Sequence, residues 1–412
     1  MKIGVIGGGL TGLVAAHTLA DEHDVELFEK LPFSGGCLSS YQINDYWIER
    51  YYHHCFSDDQ HLFALINELG LADRLEWHNG TTGYYSGKII YPLNTPMQII
   101  RYPDLSLIDK AKLARLTLNA KKIDLLSLDD TPAEAYIKKN LGDRIYSSFF
   151  EPLLKSKFGE RRSEVSAAWL ISRIAIRSNR GASGESLGYI RGGFHLLIEG
   201  LERSIQAKGG KIYLQCPVTS ITQKNHAWEV NGNSFDAVIS TIPPQELGRL
   251  CNLPMPIIPY QGAACMTLGL DRDVSEGVYW LNMKDAAPYG AVIAHTNFIP
   301  LHQYGEHIVY LASYFAREVP AHIDKMMLDD FQTRFGISPA DIHWHRMAVD
   351  PWAGPVYTTG YRSLIPAYEK QGIFIAGMFS KENYPERSME GSIRAGYAVA
   401  ECIKKRGIDD RT

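Results

Sequence analysis

The sequence predicts an α/β protein: a Rossmann-like nucleotide-binding domain that carries an inserted α+β domain. Three observations lead there. The chain opens with strand, glycine turn, helix, strand and acid in that order. At 412 residues it is longer than one core usually supports. Further strand segments then recur near positions 190, 240 and 375, the first and last punctuated by glycine, far from the opening unit.

Lys2–Ile6 (KIGVI) reads as a short strand buried on both faces, and Gly7-x-Gly9-x-x-Gly12 follows at once. In a dinucleotide turn the first glycine permits the bend and the second admits a pyrophosphate to the backbone. The third lets helix and strand pack closely. Leu10 and Thr11 begin the helix, whose N-terminal N–H groups and dipole favour phosphate. A second strand, Val25–Phe28, ends at Glu29 and Lys30, the distance at which a carboxylate accepts from ribose hydroxyls. His17, Asp21, Glu22 and Asp24 exclude a membrane span here, and no other run approaches about 18 apolar residues.

An NAD site would normally stop at Glu29, but LPFSGGCLSS (31–40) adds a second glycine pair, Gly35-Gly36. GYIRGGF (188–194), CPVTSI (216–221), FDAVISTIPP (235–244), GIFIAGM (372–378) and RSMEGSIRAG (387–396) follow in order. With these segments the chain resembles the FAD-binding amine oxidase and protoporphyrinogen oxidase superfamily. The resemblance implies FAD as cofactor and a nucleotide domain of the glutathione-reductase-2 type. It places Gly35, Gly36, Cys37, Leu38 and Ser39 along the cofactor, and a backbone contact to adenine at Val218. Gly377 and Met378 would reach the ribityl chain, while Ser388, Met389 and Gly391 would open a helix aimed at the flavin. Two positions depart from the pattern: Met378 stands where the family has Asp, and Cys37 where it has a basic residue. The hairpin YYSGKIIYPLN (84–94), following HHCF (53–56), is also similar to UDP-galactopyranose mutase, which uses FAD for a non-redox ring contraction.

On this resemblance the FAD domain is discontinuous, taking residues 1–90, 188–245 and 350–412. Residues 91–187 would form a helical part of the substrate domain and 246–349 its antiparallel sheet. The helical spacing of LSLIDKAKLARLTLNA (105–120) and the alternation in 257–317 suit those two parts. The basic amphipathic stretch 108–123 admits a membrane-surface role; a solvated helix packed on its own domain is the expectation.

FAD would carry the redox chemistry, so the search is for polar groups beside it. His53 and His54, in IERYYHHCF (48–56), are the candidate proton-transfer residues, because imidazole titrates near neutral pH. Adjacent residues of a strand face opposite ways, so at most one of the two is expected at the site. Lys155, Arg162 and Arg173 are candidates to clamp an anionic substrate, and Tyr357 a candidate wall of the pocket. His343 and His345 alternate on an expected strand without a third ligand, so no metal is predicted.

The expected activity is hydride transfer from a C–N or C–C bond of a small molecule to flavin N5, with a mutase acting on a nucleotide sugar as the alternative. A net charge of -4 without a basic run argues against nucleic acid. Six scattered cysteines and no signal-peptide pattern suit the cytoplasm. Oligomeric state is left open.

Overall fold

Lys2–Ile6 sits inside a six-stranded sheet because its apolar residues alternate into two filled faces. The computed structural model describes residues 1–176, 185–224, 227–316 and 318–409. Across the sheet the order is Glu369–Lys370, Ile373–Ile375, Ala237–Ser240, Lys2–Ile6, Asp24–Phe28, Lys211–Tyr213. All neighbours are parallel except the edge pair Glu369–Lys370 and Ile373–Ile375. Three stretches far apart in the chain therefore share one sheet. The Leu10–Leu19 helix is apolar almost all round because Met389–Asp409 and His195–Ala207 both pack on it. Gly396 permits the first crossing: a Cβ there would lie 2.8 Å from the Thr11 carbonyl oxygen.

A second sheet has seven strands, ordered Ile342–Pro355, Tyr260–Leu270, His307–Phe315, Ala291–Ala294, Trp280–Met283, Thr82–Ser86, Ile89–Pro92. Its pairs are antiparallel except Trp280–Met283 with Thr82–Ser86. Every residue of Tyr260–Leu270 is buried, which follows from cover on both faces. Met266 and Leu268 pack with Ile323, Met327 and Phe331 of the Ile323–Phe335 helix, whereas Cys265 belongs to the core shared with the first sheet.

The helices Pro96–Arg101, Leu107–Asn119, Ala133–Leu141, Glu151–Phe158 and Ala167–Ile176 form a group that meets the second sheet chiefly through Glu151–Phe158. Thr95 and Ser106 start the first two with capping boxes. The borders expected at 90 and 350 fall inside strands. Thr82–Ser86 and Ile89–Pro92 are hydrogen-bonded into the second sheet, and Ile342–Pro355 runs past 350 along Tyr260–Leu270. The helix Met389–Asp409 also extends well into the stretch after Lys404.

Candidate active site

The glycine turn is built by contacts that leave no room for a side chain at Gly7 or Gly12. Gly7 has φ +101° and donates to the Phe28 carbonyl at 2.9 Å. A Cβ on Gly12 would overlap the Gly7 carbonyl oxygen, so Gly12 serves packing beneath the turn. A Cβ on Gly9 would meet nothing within 4 Å, because that face looks into a cavity. Glu29 holds the turn from beside it. Its Oε2 accepts from the Gly8 N–H at 2.7 Å and its Oε1 from the Leu31 N–H at 2.8 Å. The second glycine pair closes over the first: Gly35 N–H donates to the Gly8 carbonyl at 2.7 Å. Gly35 and Gly36 take φ of +100° and +56°, values that side chains with a Cβ adopt rarely.

The C-terminal segment arrives opposite this cradle. Ser388 begins the Met389–Asp409 helix, its Oγ accepting from the Gly391 N–H at 2.9 Å. The fully buried Asn383 ties the approach together, accepting from Ser388 N–H at 3.0 Å and donating to the Gly377 carbonyl at 3.2 Å.

A continuous cavity of about 1620 Å³ runs from Gly7, Gly9 and Glu29, past Met378 and Met389, into a chamber under the second sheet. Of the cofactor residues expected from sequence, Leu10, Thr11, Lys30, Gly35, Gly36 and Cys37 line it, as do Leu38, Ser39, Gly377 and Ser388. Gly12, Val218 and Gly391 do not. A Cβ on Gly391 would overlap Asn383 Oδ1. The Thr11 hydroxyl is occupied by the Ser392 carbonyl at 3.0 Å.

His53 and His54 both line the chamber. They do not alternate as strand residues would, because the preceding strand ends at Glu49 and both lie in irregular backbone. His53 Nδ1 is 2.7 Å from the Tyr51 carbonyl, which can only accept, so Nδ1 carries the proton and Nε2 keeps its lone pair. Burial lowers the His53 pKa to about 4, against the raising effect of that bond. His54 Nδ1 lies 3.0 Å from the Tyr279 hydroxyl. Tyr52 and Tyr314 face each other at 2.8 Å between their hydroxyls, and Trp280 stands edge-on to Tyr52.

Of the substrate candidates only Arg173 lines the cavity. Lys155 points outward from its helix; Arg162 is paired with Glu151 and Glu160, both at 3.6 Å. The Tyr357 hydroxyl donates to the Asn383 carbonyl at 2.7 Å, buried behind the wall. Sequence reading missed Glu386, which accepts Lys157 and Arg173 at 3.5 Å each. Burial opposes its ionisation, yet Lys157, Arg173 and Arg387 hold its carboxyl below the ordinary value. Cys37 Sγ lies 3.7 Å from Asp350 Oδ2, and burial together with that carboxylate pushes the thiol up to about 12, so it is no thiolate at neutral pH. Glu49 was also missed. Fully buried, it accepts from Phe194 N–H at 2.7 Å and from the Tyr189 hydroxyl at 2.8 Å. Among the described residues no His, Cys, Asp and Glu cluster could hold a metal ion.

The sequence pattern of the flavin containing amine oxidoreductases matches residues 10–404. The chain belongs to this family. Its cofactor is FAD. The structure fits that group: an open Gly9 face, a second glycine pair at positive φ and a carboxylate at Glu29 all border one long cavity. A coproporphyrinogen III oxidase of Mycobacterium bovis is 25% identical over 277 residues, 60% of this chain and 60% of that protein. The chain thus matches about 60% of the length of that relative. Among solved structures, cyclohexylamine oxidase from Brevibacterium oxydans superposes with a TM-score of 0.73 at 16% identity, covering 98% of this chain and 99% of that one. Reduced UDP-galactopyranose mutase gives 0.74 at 16%, covering 98% and 95%. At those identities the two structures share the fold.

Proposed function

We propose that this family member is an FAD-dependent oxidoreductase acting on a small, largely apolar molecule at a C–N or C–C bond. The observation that carries the reading is the cavity itself, which joins the glycine cradle to a chamber continuing between Leu93, Tyr102, Leu116, Phe149 and Leu153. Bound FAD supplies a two-electron acceptor at N5 for the hydride. Gly7, Gly9, Glu29, Gly35 and Gly36 would hold its dinucleotide part, and Gly377, Met378, Ser388 and Met389 its flavin end. His53 presents a neutral Nε2 that accepts a proton from substrate. Tyr52, Tyr314 and Trp280 shape the chamber and keep water from it. Arg173 and Lys157 are neutralised in part by Glu386, so they favour a polar end group on the substrate while the helical arm takes its apolar body.

The test is anaerobic mixing of the purified yellow protein with panels of amines, porphyrinogens and apolar polyenes, followed at the flavin band. Bleaching by one class, reversed by oxygen or an added acceptor, is expected. Turnover of a nucleotide sugar by the pre-reduced protein, with no net bleaching, would replace this reading by the mutase. A protein that takes up no FAD would overturn both.

A further inference from the structure

Five large apolar side chains stand in water along one edge of the molecule: Met97 (55% exposed), Ile100 (51%), Leu107 (70%), Ile108 (70%) and Leu118 (79%). They belong to Pro96–Arg101 and Leu107–Asn119, two helices with full capping boxes. Single exposed leucines are ordinary, but five on two adjoining helices form a patch. Ile100, Leu107 and Leu118 also line the cavity. The cavity therefore reaches solvent through an apolar rim, and the walls behind it, Leu113, Leu153 and Ile174, are apolar as well. The expectation that the basic helix packs on its own domain holds for Leu116, which is buried, and fails for Leu107, Ile108 and Leu118.

Charge surrounds the rim. Arg101, Lys112, Arg115, Lys121 and Lys122 are exposed on the same segment. Its acids Asp104 and Asp109 are engaged by Lys284 and Arg144. This basic collar sits on a chain whose net charge is -4. A second copy docking by two-fold symmetry would set like charges against each other. An anionic lipid surface complements both the apolar rim and the collar.

We propose that this face docks on an anionic bilayer surface, with the apolar rim in the acyl boundary, so that a lipid-dissolved substrate enters the cavity without crossing water. Docking rests on the rim and its charge; the route for substrate rests on the oxidoreductase reading above. The two separate experimentally because docking needs no turnover.

The holoprotein would be floated with vesicles of phosphatidylcholine and phosphatidylglycerol in about a three-to-one ratio, and with phosphatidylcholine alone. Co-flotation with the anionic vesicles is expected, weakened by added salt. Leu107→Asp with Ile108→Asp should lower it roughly tenfold or more while the flavin spectrum is kept. Arg115→Glu with Lys122→Glu should lower binding to anionic vesicles and leave the weak binding to neutral ones unchanged. A protein that stays at the bottom with both vesicle types overturns the proposal. So does a concentration-dependent dimer, without flotation, that Leu107→Asp/Ile108→Asp converts to monomer. Normal flotation together with failure of every substrate panel would leave docking standing and remove the oxidoreductase reading.

Discussion

Gly12 lies within a helix, where any residue could take its backbone conformation; the Gly7 carbonyl is what excludes a side chain. Gly12→Ala must therefore push helix and turn apart, at a cost of about 3 kcal/mol. It should lower the melting temperature and deplete bound flavin, both readable from a thermal melt and the flavin-to-protein absorbance ratio. Glu29 acts differently. Its carboxylate restrains two backbone N–H groups on either side of the cradle and faces the cavity with lone pairs to spare. Glu29→Gln keeps the shape but loses charge-assisted bonds, and FAD affinity should fall about tenfold. Titration of apoprotein with FAD checks this; unchanged affinity would remove Glu29 from the cofactor site.

At the scale of elements, Glu49 joins three parts of the chain. The strand Tyr46–Glu49 brings the acid beneath the start of the His195–Ala207 helix and beside Glu185–Ile190, and the Tyr310 hydroxyl donates to the Glu49 carbonyl at 3.0 Å. Burial raises its carboxyl pKa, against the lowering effect of its two donors. Glu49→Leu would leave the Phe194 N–H without an acceptor and the Tyr189 hydroxyl with only the Tyr304 hydroxyl at 3.3 Å, costing about 3 kcal/mol in a chemical denaturation curve. Had the acid a merely peripheral place, the midpoint would not move. The opening strand–turn–helix was legible because its glycines and apolar run are local, and the strands of the second sheet were legible as apolar runs, although Tyr260–Leu270 is buried on both faces and does not alternate. Lys155 and Arg162 show the limit. Lys157, two residues from Lys155, reaches the cavity, and that choice depends on how the Glu151–Phe158 helix is rotated against the second sheet. Glu386 and Asp350 meet their partners only once distant segments are packed, and no spacing in the chain announces it. His54 escaped the strand argument because the strand stopped five residues earlier.

For the molecule as a whole, histidines held low by burial shape the response to acid. Burial lowers His53 and His195 to about 4 and His295 to about 3, while unfolded histidine titrates at ~6.5. As pH falls below that value the unfolded chain binds three protons on these histidines that the native state refuses, so stability declines with falling pH. Asp59, raised by burial to about 6, and Glu49, also raised by burial, oppose this with protons taken up by the native state. The melting temperature should be lower at about pH 5 than at about pH 7, and His295→Gln should flatten the slope; a melting temperature that rises on acidification would contradict the assignment. The sheet that holds the cradle has a further consequence, in the order of biosynthesis. Lys2–Ile6 emerges from the ribosome early, pairs with Asp24–Phe28, and must wait for Ala237–Ser240 to cover its other edge. At ~10 residues per second that wait is on the order of 20 s, during which an apolar strand edge is open to foreign pairing. That open edge is expected to make the yield of folded flavoprotein sensitive to chaperone supply during translation.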